Sequence, residues 1–425
     1  MTERLLQFIW QFQYFNKQAL TTVDGLALQI ISPGFLNTNQ GPDFSEAKIN
    51  IGGTVWAGNV ELHVNASAWH QHGHTGDKNY NSIILHVVWQ NDASIADQNG
   101  QHIATLELQP YVPIMLLHKY KQLMESQGFI PCESYLPMLS GIAWFSWKER
   151  LAIERLMRKA KDVLALLHQS NGHWEEVFWW VLAKNFGLPV NGAVFQAIAQ
   201  SVSVNILAKH KNQLNQLEAL LLGQAGLLAG AFTDAYPAML QKEYQFLAKK
   251  YALQPVNKLP DFLRMRPANF PTVRLAQLAA LIQQSTHLFA RIKDAATVQE
   301  VQALLNVTAN DYWHYHYTLD DETAVHSPKK LGRQMVNTLL INSVIPVLFA
   351  YGVSHNEQKF KDLPVKWLLQ LPPEQNNITR QWKAKEVLNQ NALDSQALIE
   401  LKKNYCDKKL CLDCAVGNKI LPGRG

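Results

Sequence analysis

The stretch from Gly41-Pro42-Asp43 to Glu61-Leu62-His63 constrains this chain more than any other. Ala47, Ile49 and Ile51 alternate with Lys48 and Asn50, and Val60, Leu62 and Val64 alternate with Asn59, Glu61 and His63. A period of two is that of half-buried β-strands. Gly52-Gly53 between the runs marks a hairpin turn, where adjacent residues take positive φ. The resulting sheet carries Asp43 just ahead of one strand and Glu61 with His63 on the next. A carboxylate from each of two neighbouring strands grips Mg²⁺ or Mn²⁺, because hard cations take oxygen ligands and keep their remaining positions for water and phosphate. Register decides whether the carboxylates meet. A two-residue turn sets Asp43 opposite Leu62, on the other face from Glu61, and a three-residue turn sets it opposite His63. A shared metal therefore requires the longer turn or a bulge, for which Gly58 is a candidate. The alternative is Asp43 in an ordinary turn, with Glu61 and His63 on a solvated strand face.

A run of histidines follows: His70, His72 and His74, then Asp77, Tyr80 and, within the apolar run Ile83–Trp89, His86. Gly73 and Gly76 favour a loop, which leaves the facing of the first three imidazoles open. Imidazole suits zinc, copper or iron better than magnesium, and it also moves protons near neutrality. These residues form an outer shell around the carboxylates, touch the substrate, or line a polar loop.

The chain has 425 residues, of which 47% are hydrophobic, enough for two or three domains with true cores. The opening Met1-Thr2-Glu3-Arg4 leads into an amphipathic pattern rather than a signal peptide. The longest apolar run, Leu339–Tyr351, is interrupted by Asn342 and Pro346, so no membrane span and a cytoplasmic location are expected. The net charge of +5 permits nucleic-acid binding without demanding it. Organisation changes near residue 135. Before it come a helix carrying Leu5, Leu6, Ile9 and Phe12, then strands near 26–32, 46–51, 54–64, 82–89 and 102–109. After it, helical patterns run near 143–168, 173–186, 211–230, 237–252, 271–293, 296–305, 330–350 and 376–404. The expectation is an α+β protein, with a mixed-sheet domain over 1–135 and an all-helical domain over 136–425 that ends in a cysteine cluster.

Arg264, Arg266 and Arg274 surround a proline-bounded loop entering a helix, where they hold phosphates or pair with carboxylates across helices. Cys406, Cys411 and Cys414 form C-x4-C-x2-C, and Cys132 stands alone. Three close cysteines in a reducing compartment suggest thiolate ligation of zinc or an iron–sulfur cluster, with Cys132 or a non-cysteine group as fourth ligand.

Several phrases resemble an uncharacterised bacterial family known only as a domain of unknown function. They are Gly41-Pro42-Asp43-Phe44, Gly58 through Val64, Trp69 through His74, Tyr80-Asn81, Leu85 through Val88, and Cys411-Leu412-Asp413-Cys414. More distantly, residues 1–110 resemble the PD-(D/E)xK nuclease superfamily, whose core runs helix, three antiparallel strands, helix, strand. The resemblance implies Asp43 and Glu61 as ligands of Mg²⁺ or Mn²⁺, His63 as general base or water-orienting group where that superfamily has a lysine, and phosphodiester hydrolysis on DNA or RNA. The glycine- and histidine-rich segment 65–81 departs from the helix expected there. The alternative is a module that binds nucleic acid or protein and keeps the fold without the chemistry.

Overall fold

The computed structural model describes residues 1–422 except 139, 140, 264 and 286. The chain divides into two compact units, Trp144–Leu401 and a unit that joins residues 1–143 to the segment from Lys402 onward. The class is the expected α+β: a mixed sheet lies in the first unit and helices make up most of the second. The boundary falls beyond residue 135. The cysteine-bearing segment belongs to the sheet unit, where the sequence suggested the end of the helical one.

The sheet unit opens with helix α1 (Glu3–Gln11), followed by strands β1 (Leu28–Ser32), β2 (Phe35–Leu36), β3 (Phe44–Ile51), β4 (Thr54–Asn65), β5 (Ile83–Gln90) and β6 (Thr105–Glu107). They form a six-stranded sheet in the order β1-β3-β4-β5-β6, with the short β2 also on β3. Pairing is antiparallel among β1 to β4 and parallel for β4–β5 and β5–β6. Thr2 caps α1, accepting the Leu5 N–H at 3.2 Å. The helix buries Leu5, Leu6, Phe8, Ile9 and Trp10 and packs on β4.

Ile51 pairs with Thr54 across Gly52 at φ 59° and Gly53 at φ 89°, so the hairpin has the two-residue turn. That register does not persist. Lys48 faces Ala57 and Ala47 faces Gly58, but Phe44 faces Val60, so β3 carries one extra residue. Glu46, at φ 58°, marks the bulge. The bulge therefore lies in β3, and Gly58 has a different use. A Cβ on Gly58 would come 2.5 Å from both the Ser82 carbonyl oxygen and Ile84 Cγ2, so the bare backbone lets β5 approach. One extra residue moves Asp43 from the Leu62 face to the side of Glu61.

The β4–β5 connection holds a one-turn helix α2 (Ala68–Gln71) and 3₁₀ turns at His74–Gly76 and Lys78–Tyr80. Trp69 anchors it in a core with Ala66, Val88, Ile95 and Ile103, and its Nε1–H donates to Thr75 Oγ1 at 3.0 Å. The last helix of this connected part, α3 (Ile114–Glu125), adds to the elements expected from the sequence.

In the helical unit the long helix Gly141–Gln169 sends Arg155 and Arg158 to Glu400, at 3.2 and 2.6 Å. Lys159 donates to Asn342 Oδ1 at 2.9 Å. Arg333–Ser354 is a continuous helix long and apolar enough to cross a bilayer, which corrects the expectation of no such segment; 78% of its apolar 18-residue window is buried within the protein, as in a core helix. Asn342 and Pro346 do not break it, because a π turn at Leu340–Val344 absorbs the irregularity just before the proline.

Candidate metal centre

Strand alternation puts Glu61 and His63 on one face of β4, and His86 joins them because it pairs with Glu61 in the parallel ladder. The bulge adds Asp43. The Asp43 N–H donates to Glu61 Oε2 at 3.0 Å, the Leu62 N–H donates to Asp43 Oδ2 at 3.1 Å, and Gln7 Nε2 on α1 donates to Asp43 Oδ1 at 2.8 Å. The second Glu61 oxygen, Oε1, faces imidazoles: His74 Nε2 at 3.4 Å and His63 Nε2 at 3.7 Å.

The loop completes the group. His72 Nδ1 lies 3.2 Å from His63 Nε2, and the ligand atoms of His63, His72 and His74 all fall within 4.8 Å of one another. His86 Nε2 lies 2.8 Å from His63 Nδ1 and fixes that ring. Tyr80 stacks on His74 with ring centroids 3.9 Å apart. His74 Nε2 is buried with no hydrogen-bond partner, as is His86 Nδ1. A buried polar atom without a partner is costly, and a ligand would relieve it.

Electrostatics point the same way. Burial is the largest cause that pushes Glu61 up to about 8, and the neighbouring Asp43 charge adds to it. Burial likewise raises Asp43 to about 6 against the backbone hydrogen bond from Leu62. Burial, helped by the other imidazoles, lowers His63 and His86 to about 3 each and lowers His74 too. At neutral pH these rings are neutral, the state in which histidine binds metal. Burial also raises Tyr80 to about 12, so it stays a phenol.

The other expected site residues lie elsewhere. His70 is exposed on α2, outside the group. Asp77 caps the second 3₁₀ turn, accepting the Asn79 N–H at 2.9 Å. Arg264 lies outside the described residues, and Arg266 is exposed. Arg274 is buried, donating to Gln277 Oε1 at 2.8 Å and Asn269 Oδ1 at 2.5 Å. Sequence reasoning missed Gln7, whose only signal is a polar residue on the apolar first helix.

Because His86 touches no proposed ligand except His63, it tests orientation. His86→Phe is expected to keep the fold and weaken divalent metal binding by about 10–100-fold, read by calorimetric titration. Unchanged affinity would remove the orienting role.

An α+β chain with a carboxylate pair and an imidazole cluster on one sheet face is the class that fold and site define. Residues 3–377 match the family described as "Protein of unknown function (DUF2851)", and the chain belongs to that family. Comparison with curated proteins and with solved structures finds no match.

Proposed function

We propose that the sheet unit is a metal-dependent hydrolase acting on phosphodiester bonds of nucleic acid. The observation that carries this reading is the convergence of Glu61 Oε1 with the Nε2 atoms of His63 and His74, at 3.7 and 3.4 Å. Two imidazoles and one carboxylate are a donor set that leaves a position open for water, as catalytic sites require. Nitrogen-rich donors favour Mn²⁺, Zn²⁺ or Fe²⁺ over Mg²⁺. When bound, such an ion supplies a water of lowered pKa and neutralises phosphate charge.

The chain's own residues have separate tasks in this reading. His63, held near pKa 3 by burial, is a poor base and acts as a ligand. His72 is exposed at the edge of the group and is placed to take a proton from the attacking water. Asp43 holds Glu61 through its N–H and adds a second negative charge. His86 sets the tautomer of His63.

Phosphodiester chemistry is favoured over other hydrolysis by the element order. Helix α1, the antiparallel strands β1, β3 and β4 and the parallel strand β5 follow the order of the PD-(D/E)xK core, with only the one-turn α2 where that core has a full helix. Asp43 precedes the second of these strands, and Glu61 lies on the third. The test is an assay of the whole protein on single- and double-stranded DNA and RNA with Mn²⁺, Zn²⁺ or Mg²⁺. Cleavage with Mn²⁺ or Zn²⁺ that chelator abolishes is the expected result. No cleavage of any nucleic acid would end the reading.

A further inference from the structure

Cys132 and the sequence-close Cys406, Cys411 and Cys414 line one small pocket, together with Tyr405 and Gly417. None of the four is in a disulfide; Cys132, Cys411 and Cys414 are buried and Cys406 is half-buried. We infer that Cys132, Cys406, Cys411 and Cys414 bind one thiophilic metal centre, a zinc ion or an iron–sulfur cluster, that staples the C-terminal segment to the sheet unit.

The backbone around the pocket is built for close approach. Cys411–Asp413 forms a 3₁₀ turn, and the Cys414 N–H donates to the Cys411 carbonyl at 3.4 Å. A Cβ on Gly417 would lie 1.9 Å from that same carbonyl oxygen, so only glycine lets the following helix, Ala415–Ile420, fold back over the C-x2-C turn. Three polar contacts hold the segment within its unit: Lys119 Nζ donates to the Ile420 carbonyl at 3.2 Å, Lys409 donates to the Met124 carbonyl, and Arg4 pairs with Asp413.

Burial, aided by the neighbouring cysteines, pushes Cys132 and Cys411 up to about 12 and raises Cys406 well above the usual thiol range. Lys402, which also pairs with Asp407, and Lys409 oppose this at Cys406 and Cys411. Metal binding would displace the protons. Four thiolates suit a [2Fe–2S] or [4Fe–4S] cluster as well as a zinc ion with bonds of about 2.3 Å.

The test is elemental analysis, acid-labile sulfide and visible absorption of the full chain purified without oxygen. Iron with sulfide identifies a cluster and about one zinc identifies the single ion; either supports the site. Cys132→Ser and Cys411→Ser should each lower that metal at least tenfold. A mercurial added to the wild type should release the metal as the thiols are modified, a readout independent of whether the variants fold. Neither metal with four titratable thiols, or metal fully retained in folded Cys132→Ser, would overturn the inference. Glu61→Gln should leave this metal in place, which separates the result from the fate of the histidine site.

Discussion

Glu61→Gln is expected to reduce metal-dependent cleavage by on the order of 10³-fold or more while leaving the fold intact. The substitution keeps side-chain size and one oxygen acceptor. It removes the charge that faces His63 and His74 and the oxygen that completes the ligand set. Asp43→Asn should act through the same centre, because it removes the charge that adds to the burial of Glu61 while keeping the backbone N–H bonded to it. The two effects should not add: a double variant about as inactive as the stronger single variant is the mark of residues acting as a unit. Steady-state rates with Mn²⁺ on the best nucleic-acid substrate, alongside circular dichroism, read the outcome. A Glu61→Gln protein that cleaves normally would remove the centre from the chemistry.

The second large effect is on stability. Glu61 has an ordinary value of 4.5 and is pushed up to about 8 in the fold. Between those pH values the folded protein keeps a proton that the unfolded chain has lost, so the unfolded state binds fewer protons and stability falls as pH rises. The contribution is fully present below about pH 4.5 and is lost by about pH 8, an effect on the order of a few kcal/mol. Asp43, raised to about 6, adds a smaller decline at lower pH. His63 and His86, lowered to about 3, act in the opposite sense below about pH 6.5, because there the unfolded chain holds protons that the fold excludes. The Glu61 contribution is therefore read as a difference: in urea unfolding of metal-free protein, wild type should lose stability relative to Glu61→Gln between pH 5 and pH 8, and saturating Mn²⁺ should stabilise wild type at pH 8 by binding the ionised form. Identical pH profiles for wild type and Glu61→Gln would contradict the burial argument.

The strands around the site are legible because alternation over Ala47–Ile51 and Val60–Val64 has one structural meaning, and Gly52-Gly53 has one turn to make. The register was not legible. The bulge rests on Glu46 at φ 58°, and glutamate gives no sign of a left-handed residue, whereas Gly58 is a natural but mistaken place to look. The histidines were visible as a cluster, but their facing depends on how Trp69 anchors the β4–β5 connection, a tertiary contact. The helix Leu188–Ser201 begins with Leu188-Pro189, which reads as punctuation although proline suits a first turn. The return of the cysteine segment to the sheet unit is long-range and leaves no local mark.

The most direct measurement is the anomalous difference map of a crystal soaked in Mn²⁺. A peak is expected between Glu61 Oε1, His63 Nε2 and His74 Nε2, within about 2.0–2.3 Å of each once bound. A map with no peak there, with the imidazoles still hydrogen-bonded to one another, would rule out a metal held by this centre.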